Sequence, residues 1–140
     1  MAIKVEIVSP LKKILARNAD MVVIPGSEGD IAAMPGHSPV LLALRGGVVD
    51  VYEKEKIVES YFVEKGFAEI TQDACTILTD SAVNVKAIDV AAAEKRLQAA
   101  EEAYHNTVDK NDYKILASLF EEMQIASAQK DATTRKLPYS

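Results

Sequence analysis

The chain is expected to be an α+β protein in two parts, an N-terminal all-β sandwich followed by a C-terminal antiparallel α-helical hairpin. Three observations lead there. Apolar residues recur with a period of two up to about Val85. Gly and Pro cut that first part into short pieces, most densely between Ile24 and Gly47. Residues 90–105, VAAAEKRLQAAEEAYH, contain neither breaker and are rich in good helix formers. The expected division is a sandwich over 1–86 and a helical hairpin over 87–140.

Ile3, Val5 and Ile7 alternate with Lys4, Glu6 and Val8, and Ser9 with Pro10 ends that strand. Residues 21–24 form a short β-prone run closed by Pro25 and Gly26. The stretch 24–47, IPGSEGDIAAMPGHSPVLLALRGG, turns repeatedly between short strands. Pro35 and Pro39 fix φ and lack a donor, while Gly26, Gly29, Gly36, Gly46 and Gly47 can supply positive φ. Runs 48–52 and 57–63 flank the charged tetrad Glu53, Lys54, Glu55 and Lys56, which reads as a hairpin tip. Runs 67–70 and 75–79 pair around Thr71, Gln72 and Asp73, and Cys75, alternating with Ile77, reads as a packed thiol. Short strands at roughly 8–12-residue spacing indicate a sandwich or barrel rather than a βαβ fold.

Asp89 stands where a helix N-cap is needed, its carboxylate placed for orphan N–H groups and the positive dipole end. His105 ends the first helix, where an imidazolium favours the negative dipole end. A polar loop at 106–111 leads to a second helix over about 112–131, with an apolar stripe of Ile115, Leu119 and Met123 flanked by Leu116 and Phe120. So short a joint folds the helices back antiparallel. Ala91, Ala92, Ala93, Ala99, Ala100, Ala103, Ala117, Ala126 and Ala128 let the axes approach closely. An Ala-rich contact buries little area at roughly 25 cal/mol per Å², so the hairpin is expected to be the labile half.

Composition bounds the function. A chain of 140 residues holds one ordinary domain or two small ones, and 49% apolar residues are enough for a packed core. The net charge of −5 and the lack of a basic stripe argue against nucleic acid as a partner. Residues 1–84 carry 8 basic and 12 acidic side chains, and residues 85–140 carry 8 and 9. A single cysteine excludes an internal disulfide framework and fits a reducing compartment. No apolar run approaches the roughly 20 residues of a membrane span, and MAIKVEIVSP lacks the features of a signal or import sequence. A soluble protein is expected, associated with membranes only through a partner.

Catalysis is not expected. His37 lies between Gly36 and Ser38 in a turn, and no Ser, Cys or carboxylate pair is placed by sequence to work with it. Neither G-x-x-x-x-G-K-S/T nor G-x-G-x-x-G occurs, so phosphate-cradling loops are absent, and no cofactor or metal is expected. Read alone, Glu28 and Asp30 are a solvated acidic loop. The residues by themselves leave open a free-standing β-sandwich binding module with a helical dimerisation hairpin, and, least of all, a small hydrolase.

The order SEGD, then PGHSP, then LL, then a glycine turn resembles the epsilon subunit of F-type ATP synthases, called delta in mitochondria. The family wording is close to "SEGE-(apolar)-PGHAPL"; Asp30, Ser38 and Val40 here stand for Glu, Ala and Leu. Further similarity lies in Val8 with Ser9, in Gly66-Phe67-Ala68-Glu69-Ile70 (like GGFLEV), in Thr79-Asp80-Ser81-Ala82 (like LADTA), and in the pair Asp112 and Tyr113. The resemblance covers both halves and implies the same sandwich and hairpin.

It also implies a non-catalytic rotor subunit of the central stalk of a proton-translocating enzyme, coupling c-ring rotation to ATP synthesis. The implied place is the cytoplasmic face of the bacterial inner membrane, or second to it the stromal face of the chloroplast thylakoid, held there peripherally by the complex. The implied partners are the gamma subunit, touched by His37 and Leu42, and the c-ring, touched by Ser9 and Asp30. The alpha and beta subunits are transient partners, reached by an opened hairpin. Some bacterial relatives bind ATP through I/L-D-x-x-R-A and second-helix arginines. Ile88 and Asp89 keep the start of that motif, but Ala92 replaces its arginine and no arginine precedes Arg135 on the second helix. Without guanidinium forks, bidentate phosphate recognition is lost, so Asp89 is a remnant and ATP binding is not expected. Lys114 and Lys130 are offset by Glu121, Glu122 and Asp131, with only Arg135 and Lys136 beyond, so weak inhibition at most is expected.

Overall fold

The structure is a computed structural model that describes residues 2–107 and 111–135. Ten strands come first: β1 (Ile3–Val8), β2 (Lys13–Ala19), β3 (Met21–Gly26), β4 (Gly29–Ala33), β5 (Val40–Leu44), β6 (Gly47–Glu53), β7 (Lys56–Val63), β8 (Gly66–Ile70), β9 (Ala74–Thr79) and β10 (Ala82–Asn84). A 3₁₀ turn (Val85–Ala87) leads to two helices, α1 (Val90–His105) and α2 (Tyr113–Thr134). The order across the sheet is β10-β7-β6-β3-β5-β8-β9-β1-β2, with β4 paired to β3. It forms two layers, since β3 and β5 meet only where Gly26 faces Leu44. All neighbours run antiparallel except β1 and β9.

Strand alternation decides what lies between the layers. Ile3, Val5 and Ile7 of β1 are fully buried and meet Ile70, Cys75 and Ile77 from their own layer. Val22, Ile24, Ala33, Val49, Val51 and Val63 close the core from the other layer. Burial pushes the Cys75 thiol up to about 12 because a thiolate has no solvation there. The expected strands at 3–8, 21–24, 48–52, 57–63, 67–70 and 75–79 are all present. β2 is an element the alternation did not announce: KILARNA mixes charge into both faces. It pairs with β1 alone, and its Arg17 reaches across to Glu53 at 2.7 Å and Glu59 at 3.5 Å.

The charged tetrad does form a hairpin tip, in which Lys54 (φ 53°) and Glu55 (φ 67°) both take the left-handed conformation. That is the two-residue turn whose twist suits a hairpin, made here without Gly or Asn. The Lys54 N–H donates to Asp20 Oδ2 at 2.7 Å. Of the five glycines expected to supply positive φ, Gly29 and Gly36 do so; Gly26, Gly46 and Gly47 do not. Their role is close approach: a Cβ on Gly47 would stand 2.6 Å from the Cβ of Pro25.

Asp89 caps α1 as the sequence suggested, accepting from the amides of Ala91 (2.9 Å) and Ala92 (3.4 Å). Asp112 caps α2 in the same way through Lys114 and Ile115. Residues 108–110 of the expected interhelical loop, and Lys136, lie outside the described residues. The helix contact is narrower than the alanine count suggests: Ala93, Ala100 and Ala126 are buried, whereas Ala91, Ala92, Ala99, Ala103 and Ala117 face solvent. The stripe on α2 is displaced too. Leu116, Leu119 and Met123 are half-buried, Ile115 is 47% exposed, Phe120 is 52% exposed with its ring against Tyr104 of α1, and full burial falls on Ile125, Ala126 and Ala132 toward the C-terminal end. The reason is a second surface to cover. Val48, Phe62 and Val85, on the side of the β6–β7 layer away from the core, form a second apolar cluster with Ile125, Ala128 and Ala132.

Candidate interaction surfaces

The sandwich has two ends, and the expected contact residues divide between them. Register places Val8, Leu44, Gly66 and Thr79 at one end, next to the Gly26–Gly29 turn that joins β3 to β4. Ser9 follows β1 there, and its hydroxyl accepts from Lys12 N–H (3.2 Å) and donates to the Lys12 carbonyl (3.1 Å). Asp30 belongs to the same end, two-thirds exposed. Its Oδ1 accepts from Arg45 Nη2 at 2.7 Å, and the same guanidinium donates to the Gly26 carbonyl. Ser9 and Asp30 thus lie at the same end of the sandwich, and Arg45, which sequence reading passed over, sets the orientation of the acid. The motif SEGD gave no hint of that partner, 15 residues downstream.

His37 lies at the opposite end. Gly36, at φ 89°, donates its N–H to the Gln72 carbonyl at 2.8 Å, tying this loop to the β8–β9 turn. The His37 ring bonds the Ser38 carbonyl through Nδ1 at 2.6 Å, which puts the proton on that nitrogen. Leu42 sits midway along β5 and is half-buried. It packs on the main core and beside Gly26, so only part of it is open to a partner. Its outward neighbours are Leu41 and Ala43.

Those neighbours begin a feature that single-residue matching missed. Ala43 faces Phe67, Phe67 faces Leu78, and Leu78 faces Val8, a cross-strand row on the outer side of the β5-β8-β9-β1 layer. Leu41 (69% exposed), Phe67 (54%) and Leu78 (49%) all stand in solvent. Phe67 and Leu78, with Val8, Pro10, Ala43, Leu44 and the rim residues Lys65 and Asp80, line an apolar groove of about 610 Å³. The signal was legible: in β8 and β9, Phe67 and Leu78 occupy the positions that alternate with buried Ala68 and Ile77. Large apolar side chains on a face that should be polar mark a contact surface.

The other layer is covered by the hairpin. Arg96 of α1 ties α2 to the chain just after β7: Nε to Glu122 Oε1 at 2.7 Å, Nη1 to Gln129 Oε1 at 3.2 Å and Nη2 to Glu64 Oε1 at 2.6 Å. Hydrogen bonding to Glu122 and then to Glu64 raises its pKa further above an already high value, so it stays charged. Arg135 donates Nη1 and Nη2 to the two oxygens of Asp50 at 2.8 and 2.7 Å. Arg135, which sequence reading weighed for an acidic partner, is therefore engaged by a carboxylate of the chain itself, and so is Arg96, which it passed over. Among the described residues no group of three His, Cys, Asp or Glu side chains could hold a metal ion, and no helix is long and apolar enough to cross a membrane.

Comparison with known proteins agrees with this architecture. Residues 2–85 match the family model described as ATP synthase, Delta/Epsilon chain, beta-sandwich domain. The chain is 46% identical over 132 residues to the ATP synthase epsilon chain of Gluconacetobacter diazotrophicus, covering 94% of this chain and 93% of that one. It is 46% identical over 127 residues to the ATP synthase epsilon chain of Granulibacter bethesdensis, covering 91% and 93%. Its fold superposes with a TM-score of 0.80 on a chain of the Euglena gracilis mitochondrial ATP synthase OSCP/F1/c-ring structure. That likeness is at 20% identity and covers 94% of this chain and 81% of the other.

Proposed function

This chain belongs to the ATP synthase delta/epsilon family, and from that premise we propose that it is a non-catalytic rotor subunit in the central stalk of a proton-translocating F-type ATP synthase. The observation that carries the reading is the uncovered apolar row Ala43, Phe67, Leu78 and Val8 on the layer opposite the hairpin. An exposed patch on rigid strands loses little entropy on docking and is suited to a permanent partner. We assign it to the gamma subunit, together with Leu42 and the His37 loop at the start of β5. Ser9 and Asp30, on the rim at one end, are assigned to the polar loops of the c-ring. Exposed ion pairs at such a rim contribute about 0.2–1 kcal/mol, so they set register more than affinity.

In this reading the sandwich bridges gamma and the ring, and the complex holds the chain at the cytoplasmic face of the bacterial inner membrane. The hairpin regulates weakly: its arginines are engaged internally, and its remaining basic charge is offset by acids. Deleting residues 88–140 is expected to change ATP hydrolysis by the assembled enzyme about twofold or less, roughly 0.4 kcal/mol of barrier.

The test is reconstitution. Enzyme assembled without this subunit is expected to hydrolyse ATP with poor proton pumping, and added full-length chain to restore pumping. A Phe67→Asp chain is expected to restore it far less. Equal pumping with and without the chain would refute the role.

A further inference from the structure

Asp50 is only 7% exposed although it lies on the outer side of its sheet layer, because α2 and Arg135 cover it. It faces Ser60 on β7, whose hydroxyl donates to Asp50 Oδ1 at 2.7 Å. The guanidinium of Arg135 takes both carboxylate oxygens and comes within 3.3 Å of the Ser60 oxygen. Val48 and Phe62 form the next pair on the same face, and they are the apolar floor on which Ile125 and Ala132 rest. One strand pair therefore presents two rungs to the hairpin, one apolar and one charged.

The two rungs respond differently to loss of a partner. Apolar contacts hold α2 down in proportion to buried area. A carboxylate beneath a helix is tolerable only while a cation pairs with it, and an orphaned one is worse than no charge at all. Asp50 thus makes closure of the hairpin conditional on the residue that follows α2. We propose that Arg135 and Asp50 form a releasable latch: seated, Arg135 lets the hairpin close over Asp50, and removal or capture of Arg135 turns Asp50 into a buried unpaired charge that lifts α2 off the sandwich. This is a property of the hairpin and stands whether or not the chain works in a rotor.

Placement argues for a switch rather than general glue. The second ion pair joining α2 to the sandwich, Lys65 with Glu121, is exposed on both sides (64% and 53%) and makes one bond at 3.0 Å, so its loss leaves nothing desolvated. Arg135 lies immediately beyond the last turn of α2, where a partner's acidic surface or a cut in the tail can withdraw it without disturbing the helix.

Hydrogen exchange on the full-length chain tests the latch. Arg135→Ala is expected to speed exchange in α2 from 121 to 134 by about tenfold or more, with β1 and β9 unchanged. The double variant Asp50→Ala with Arg135→Ala removes both charges and is expected to return α2 to within about threefold of the wild-type rate. Glu121→Ala is expected to stay within about twofold. The proposal is overturned if Arg135→Ala leaves α2 unchanged, if the double variant exchanges as fast as the single one, or if β1 and β9 lose protection together with α2.

Discussion

Gly46 and Gln124 bond each other twice: the Gly46 N–H donates to Gln124 Oε1 at 3.1 Å, and Gln124 Nε2 donates to the Gly46 carbonyl at 2.7 Å. A side-chain amide on α2 thus occupies a backbone donor and acceptor at the turn before β6. The contact is possible because residue 46 has no side chain. A Cβ there would lie 3.0 Å from the Ile125 Cα, closer than ordinary contact allows.

Gly46→Val is therefore expected to push α2 away and break both amide bonds, at a cost of about 1–3 kcal/mol to hairpin docking. Hydrogen exchange in α2 checks it. The main core between the layers is remote from the change, so β1 and β9 should keep their protection. Unaltered exchange in α2 would mean that the helix does not depend on this approach.

Lys54 and Glu55 hold left-handed backbone that costs an ordinary residue roughly 1 kcal/mol. Replacing them by Asn and Gly, as this turn type prefers, is expected to raise stability by about 1 kcal/mol in urea titration. The amide of residue 54 keeps its bond to the Asp20 carboxylate, because residue 54 contributes only its backbone N–H. A loss of stability would show that the charged side chains at the tip matter more than their conformation.

These relationships show which parts of the molecule were legible in the chain of letters. Period-two runs such as Ile3, Val5 and Ile7 announce their strands because one face is buried. Asp89 announces a helix start because the carboxylate serves its own backbone two and three residues on. What could not be read was long-range. Nothing local in KILARNA marks β2, since its place depends on β1 and on acids of β6 and β7. The expected α2 stripe was centred too early because Val48, Phe62 and Val85, far back in sequence, decide which helical residues are covered. Arg45 with Asp30 and Arg135 with Asp50 have no spacing rule at all. Phe67 and Leu78 were readable as apolar residues on the wrong side of their strands, but matching one position at a time hid them.

Cys75 offers a check on the core. With its pKa at about 12 and no solvent exposure, almost no thiolate forms near pH 8, whereas an unfolded cysteine ionises near 8.5. Thiol labelling in the native protein is expected to be at least about a hundredfold slower than in denaturant. Rapid native labelling would mean that the layers part at β9 far more often than this packing allows.

The central claim is that the open face of the sandwich docks on the gamma subunit, and equilibrium binding of the full-length chain to purified gamma tests it most directly. Phe67→Asp is expected to weaken binding by about tenfold or more, roughly 1.4 kcal/mol, as befits a large apolar side chain at the centre of a contact. Val90→Asp, at a half-exposed apolar position (47%) at the start of α1, is expected to leave the affinity unchanged. Wild-type affinity for the Phe67 variant, or no binding of gamma by the native chain, would contradict the account.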